Sequence, residues 1–488
     1  MMSSRYHFIF ALFLPLVSIT FLLAQDTEYE KWRQNEEGKL QQFKEERDKE
    51  FTEFLKREWK AVDVTEGESF IEKPLPGPLP VYTGKAPELP PSEFKPVVTV
   101  EMQKPPALPP VEVKLHPSET FAHYAIFQYY TLPLKIGYME VPALEMQGPI
   151  TKEQISKAWD NLSGWNYKYI LERLDQERKT HKLNDWGFVK LVYEAARSLI
   201  QNSKNESITL TWFLLTKAGY EVKVAYNEKS VHLLFPSAHR LYSVPYFTMN
   251  NDERRFYEPP LDRTGAPEMR VFTYDGKYPG SDKQLQFTVS ALPELTGGKM
   301  SKELSFQYND STFHINTQYS KDAVQYFEYY PQTEYEIYFA APLSQEATNS
   351  LLPQLINIVK GKSEVEAVNI LLRFVQTAFQ YKVDAEQFGR EKPFFPDEIL
   401  YYPYSNCKDR AIFFATLIRT ILRYDVVGLY YPDHVATAVR FQGDIAGDAV
   451  FIQGRKFIIC DPTYVNANIG MCMPQFKNVT PTVIKIRN

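Results

Sequence analysis

The stretch "YPYSNCKDRAIFFATLIRTIL", from Tyr402 to Leu422, sets a cysteine ahead of a strongly apolar helical pattern, after an aromatic turn that carries a proline. The chain has only three cysteines, Cys407, Cys460 and Cys472. A thiol at the start of a helix is either a small buried hydrophobe or a working group, because the positive end of a helix favours the thiolate. A cysteine nucleophile also needs a histidine as acid and base, and a third group that holds the imidazole in one tautomer. Downstream, His434 opens the apolar strand pattern "HVATAVRF", and Asp461 closes "KFIICD" ahead of Pro462. The strands are joined through turns, so they can lie side by side at about 4.8 Å. That spacing brings His434 and Asp461 together at the helix end if both face it.

The rest of the chain sets the frame. At 488 residues it exceeds one core, and two or three domains are expected. The net charge of -5 is small for this length, and no basic run points to nucleic acid. Neither HExxH nor paired CxxC spacing occurs, so no metal and no cofactor is expected. At the N-terminus, Arg5 precedes an apolar run from Phe8 to about Leu23, and Ala24 gives way to charged sequence. This is the build of a secretory signal peptide over residues 1–24. It predicts an exported protein, periplasmic or associated with the cell envelope, without a transmembrane span once the signal is removed. Export permits disulfides. The odd cysteine count leaves at least one thiol unpaired, and Cys460 and Cys472 read as two separate buried thiols.

Residues 25–62 read as a charged amphipathic helix. Tyr29, Leu40 and Phe51 recur every eleven residues, and so do Trp32, Phe43 and Phe54. Two readings stand side by side: a helix that recruits a partner through 26–60, as a coiled coil does, and a solvated helix lying on its own domain. Residues 63–118 are crowded with proline and read as a stiff spacer. Residues 119–260 show helical spacing followed by a strand, with a capping box at Thr151 and Gln154. Residues 261–345, through "MRVFTYDG", "LQFTVSAL", "KELSFQYNDSTFHINTQY" and "YEIYFAAPL", read as strands of a small β-rich domain. Residues 346–488 return to helices and end in strands. The fold class is α+β.

The middle of the chain echoes the quoted stretch. "SKNESITLTWFLLTKAGYEVKVAY" from Ser203 aligns without a gap on "CKDRAIFFATLIRTILRYDVVGLY" from Cys407, and His232 follows at nearly the distance of His434. "HRLYSVPYF" then falls where "RKFIICDPTY" stands, and no Asp occupies the third position. The pattern predicts two copies of one fold, the first degenerate at Ser203 and His232 and reduced to binding or scaffolding.

The segments "NCKDRAIFFATLIRTI", "DHVATAVRF" and "ICDPTY", in this order, resemble the transglutaminase-like superfamily, whose core is papain-like. The lead-in "FQYKVDAEQFGREKPFFPDEILYYPYSNC" is similar to bacterial members. The resemblance covers about residues 364–486. It implies that Cys407 is the nucleophile, His434 the general base and acid, and Asp461 the orienting carboxylate. Asp409 and Arg410 match a common polar position and read as structural. The Cys407 backbone N–H is one oxyanion donor, and Tyr404 and Gln387 are candidates for the second. The implied activity is acyl transfer through a thioester. Hydrolysis of peptide or isopeptide amides, in a protein or a peptidoglycan stem, stands ahead of transamidation, which would make the protein a crosslinker. The rival reading is a non-catalytic envelope scaffold.

Overall fold

Caps settle many helix starts in the computed structural model, which describes residues 14–57, 59–69, 79–84, 123–201, 203–249, 252–262, 270–295 and 297–486. Thr151 accepts from the Gln154 N–H at 3.3 Å, and the Gln154 side chain accepts from the Thr151 N–H at 3.0 Å, so the expected capping box opens the helix Lys152–Ser163. Asn184 caps Asp185–Ile200, Ser203 caps Lys204–Lys217, Ser344 caps Gln345–Val359 and Ser363 caps Glu364–Thr377, each through a side-chain oxygen.

The fold is α+β and its helices frame two main sheets of antiparallel strands. In the middle half, the order across the sheet is Tyr246–Met249, Asp252–Tyr257, Val231–Pro236, Lys223–Tyr226, Arg270–Thr273 and Lys60–Asp63. In the C-terminal half it is Ala449–Ile452, Arg455–Cys460, His434–Val439, Val426–Tyr431 and Thr482–Ile484. The first five strands of each follow in one connection order. A helix leads into a hairpin, a second hairpin adds to one side, and a late strand returns to pair with the first. The likeness extends upstream. The hairpin His123–Tyr129 with Leu132–Tyr138 packs on Asp185–Ile200 and Lys168–Thr180, and the hairpin Lys299–Tyr308 with Ser311–Ser320 packs on Glu364–Thr377 and Gln345–Val359.

This placement corrects the expected β-rich domain over 261–345. Arg270–Thr273 completes the middle sheet, whereas the long hairpin at 299–320 rests on helices of the C-terminal half. "LQFTVSAL" forms no named strand. Its backbone is taken up by distant parts of the middle half: the Gln286 N–H donates to the Asp185 carboxylate at 2.9 Å, and the Leu285 N–H to the Pro236 carbonyl at 3.2 Å. "YEIYFAAPL" holds a helix, Tyr335–Ala340, which buries Ile337, Tyr338 and Phe339 and packs against Cys407–Leu417. Burial overrides the strand preference of its aromatic residues.

The N-terminal helix runs Leu14–Arg57, and Lys60–Asp63 is a strand, so the expected helix over 25–62 stops short. The helix has two regimes. Phe51 and Leu55 are buried among Trp159, Trp212, Tyr274 and Tyr278, and each stabilises the docking by roughly 1.5–3 kcal/mol. Tyr29, Trp32, Leu40 and Phe43 stay exposed. Residues 1–13 of the expected signal peptide lie outside the described residues, and so does most of the proline-rich spacer. The spacer's described pieces, 63–69 and 79–84, are docked and correct the reading there: the Thr65 N–H donates to the Tyr246 carbonyl at 2.8 Å, the Tyr82 N–H donates to the Val465 carbonyl at 2.7 Å, and the Val465 N–H donates to the Pro80 carbonyl at 2.9 Å. Among the described residues no helix is long and apolar enough to cross a membrane.

The halves meet through aromatic residues of the connecting segment. Tyr326 donates to the Asn184 amide oxygen at 2.5 Å, and the Asn184 amide donates to the Tyr330 hydroxyl at 2.6 Å. Tyr330 also packs edge-on against Phe287 in one direction and Phe395 in the other.

Candidate active site

Cys407 is the first residue of the helix Cys407–Leu417, behind Asn406 at the cap. Asp409 reaches back: its carboxylate accepts from the Asn406 N–H at 2.9 Å and from the Phe394 N–H at 3.1 Å. Asn406 in turn donates its amide to Asp384 at 2.8 Å, and Asp384 pairs with the buried Lys408. Arg410 is fully buried and donates to the carbonyls of Gln376 at 3.2 Å and Phe379 at 2.6 Å. Asp409 and Arg410 therefore lie in the frame that holds the helix start, and Lys408 and Asp384 join them there.

The sheet brings the other two residues to this end. His434 opens its strand opposite Tyr431, across a turn in which Asp433 takes a φ of 57°. On its far side the strand pairs with Arg455–Cys460, Thr437 opposite Cys460. His434 lies three residues before Thr437 and Asp461 one residue after Cys460, so both project past the same end of the ladder. His434 Nε2 meets Asp461 Oδ2 at 2.8 Å. Asp461 Oδ1 accepts from the N–H groups of Thr463 at 2.9 Å and Tyr464 at 3.2 Å. The bond to Asp461 leaves Nδ1 for the thiol. Burial works against a charged ring, but the Asp461 carboxylate and the adjacent Cys407 outweigh it and push the His434 pKa up to about 10.

Several residues of the site carry no motif and were missed. Gln376 donates its amide to the carbonyls of Asp461 at 3.0 Å, Tyr464 at 2.8 Å and Ala467 at 3.0 Å, and so pins the Asp461 loop. Phe476 stacks on the His434 ring at 5.2 Å with an interplanar angle of 6°. Burial, and then the neighbouring Cys407, pushes up the phenols of Tyr335 and Tyr381. Only the position of Tyr381, shortly ahead of the cysteine, was a signal available in the sequence. Of the proposed oxyanion donors, Gln387 spends its amide on the Tyr404 carbonyl at 3.4 Å. Tyr404 lies in a short strand beside Gln380–Tyr381. The Cys407 N–H is in the first helical turn, where backbone donors have no partner within the helix. All three cysteines are free and buried, and burial pushes Cys460 up, and Cys472 up to about 11. Among the described residues no cluster suited to a metal ion occurs.

The middle half corrects the sequence reading of its third position. His232 Nδ1 meets Glu258 Oε1 at 2.6 Å. Phe235 pairs with Tyr257, so His232 lies three residues before the paired position and Glu258 one residue after it. His434 and Asp461 have the same offsets about Thr437 and Cys460. Setting "HRLYSVPYF" against "RKFIICDPTY" is too early: it ends in the first strand of the hairpin Tyr246–Tyr257, whereas Glu258 follows the second strand, 26 residues after His232, as Asp461 comes 27 after His434. The signal was present in "FYEPP" beside "ICDPT". Ser203 caps its helix, accepting from the Glu206 N–H at 3.4 Å, and Lys204 occupies the first helical position that Cys407 holds in the other half.

No protein-family model, curated protein or solved structure matches the chain.

Proposed function

We propose that the protein is an exported cysteine-dependent acyl-transfer enzyme of the transglutaminase-like superfamily, hydrolysing peptide or isopeptide amide bonds. The observation that carries this reading is the 2.8 Å contact of His434 with Asp461, on a ring beside the thiol that opens a helix. Below about pH 10 the ring is an imidazolium, which supports a thiolate on Cys407. The thiolate attacks the amide carbonyl, and the Cys407 N–H steadies the oxyanion. His434 hands its proton to the leaving nitrogen, leaving a thioester. It then takes a proton from water, which attacks the thioester and releases the acid. Asp461 holds the ring throughout. The matching connection orders of the two sheets support a duplicated fold, with the middle half as the copy that lacks the thiol. The substrate lies in a peptide, a protein or a peptidoglycan stem.

One observation favours the scaffold reading. Cys407 is 2% exposed and His434 8%, so the site is closed in this conformation. Iodoacetamide labelling with peptide mapping tests both. Fast labelling of Cys407 at neutral pH that His434→Ala slows, together with amidase turnover that Cys407→Ala abolishes, is the expected result. A Cys407 as inert as Cys460 would establish the scaffold.

A further inference from the structure

We propose that the middle half binds an extended peptide segment non-covalently in the cleft beside His232, a site that rests on the acyl-transfer reading of the C-terminal half for its choice of ligand. The cleft has a volume of about 810 Å³ and its walls include Tyr130, Trp186, Lys190, Tyr193, His232 and Glu258. Two observations make it a built site.

The first is the pair itself. His232 and Glu258 stand at the strand positions of His434 and Asp461, yet Lys204 takes the helical position of the nucleophile. A duplicate kept only for its core has no need of a buried imidazole against a part-exposed carboxylate at 2.6 Å, since burying a polar ring is costly unless it is fully hydrogen-bonded. The second is an open valence. His232 is 8% exposed, and its Nε2 has no hydrogen-bond partner; nor has Glu258 Oε2. Glu258 accepts from Nδ1–H, so in the neutral ring Nε2 carries the lone pair, an acceptor for an amide N–H.

Position argues for a peptide. In the C-terminal half the imidazole must come within hydrogen-bond reach of the scissile amide nitrogen in order to protonate it. The equivalent imidazole, without a thiol, is placed to hold an amide and leave it intact. Two polar groups of the wall are engaged within the protein: Lys190 donates to the Leu261 carbonyl, and Tyr193 to Asp262 at 3.1 Å. The aromatic rings of the wall, with the unpartnered His232 Nε2 and Glu258 Oε2 as acceptors, suit a peptide amide flanked by an apolar side chain.

The test uses the full-length Cys407→Ala protein and a fluorescein-labelled, end-blocked octapeptide containing one Phe and one Gln, followed by anisotropy. Saturable binding is expected, and His232→Ala should weaken it at least about tenfold, in line with a lost buried hydrogen bond. His232→Phe keeps the volume, removes both ring nitrogens and should weaken binding equally, which separates ligand contact from a folding defect. Unchanged affinity in His232→Phe overturns the proposal. So does displacement by a tetramer of N-acetylglucosamine but not by unlabelled peptide, which would make the cleft a saccharide site. Turnover of the same peptide by the wild-type protein is read separately. Binding that depends on His232 without any cleavage supports the cleft and counts against the enzyme. Cleavage with binding indifferent to His232 does the reverse.

Discussion

Residue chemistry at His434 makes a prediction about pH. Its pKa is raised from 6.5 to about 10, so the folded state binds a proton that the unfolded state releases first. The stabilisation is complete below about pH 6.5, declines above it and is gone once pH passes about 10. The urea midpoint of His434→Phe should therefore differ from the wild type most at about pH 6 and least at about pH 10.5, any pH-independent packing difference being common to both. Gln376 makes the second prediction at this scale. It satisfies three buried carbonyls around Asp461. Gln376→Ala strands them and should cost about 3 kcal/mol in urea unfolding. Amide turnover should fall with it, since Asp461 then loses its fixed position.

At the scale of elements, helix starts and helix faces decide what each segment contributes. Asp409 serves two buried N–H groups at the start of Cys407–Leu417. Asp409→Ala should cost about 2–4 kcal/mol by thermal unfolding, more than the ~1 kcal/mol of an exposed cap, because both donors are left inside the protein. The N-terminal helix predicts a contrast along its own length. Leu55→Ala, at a fully buried position, should cost about 2–5 kcal/mol, and Phe43→Ala, at an exposed one, within about 0.5 kcal/mol. Chemical denaturation of the two variants side by side checks this. The eleven-residue stripe was legible as a helix, but periodicity alone marks a face without saying what covers it. Of its six residues only Phe51 is deeply buried, and Phe54 is partly so. Tyr335–Ala340 shows the opposite failure: an aromatic, strand-like composition became helix because it packs on the helix of Cys407.

At the scale of the molecule, two halves of one topology are joined by the Asn184 amide and the phenols of Tyr326 and Tyr330, the two rings lying in one continuous core that spans both halves. Tyr330→Ala removes the shared ring, and calorimetry should then resolve two transitions where the wild type shows one. The order Cys407, His434, Asp461 was readable because the chemistry demands particular residue types, and each falls at an element boundary that caps and apolar patterns reveal. The Glu258 partner of His232 lies 26 residues on, as Asp461 lies 27 beyond His434, but "HRLYSVPYF" reaches only into the first strand of the second hairpin, and the carboxylate follows its second strand. The sequence alone determined the helix starts, the paired strand patterns, the candidate nucleophile and the echo of one half in the other, since these rest on local preference and on periods of two and 3.6 residues. Only the tertiary structure decided that 261–345 is shared between the halves, that Gln376 pins the Asp461 loop and that His232 has a carboxylate partner. Those facts depend on which strand edge is free and which buried polar group needs a partner, and both arise only when distant segments exclude water together.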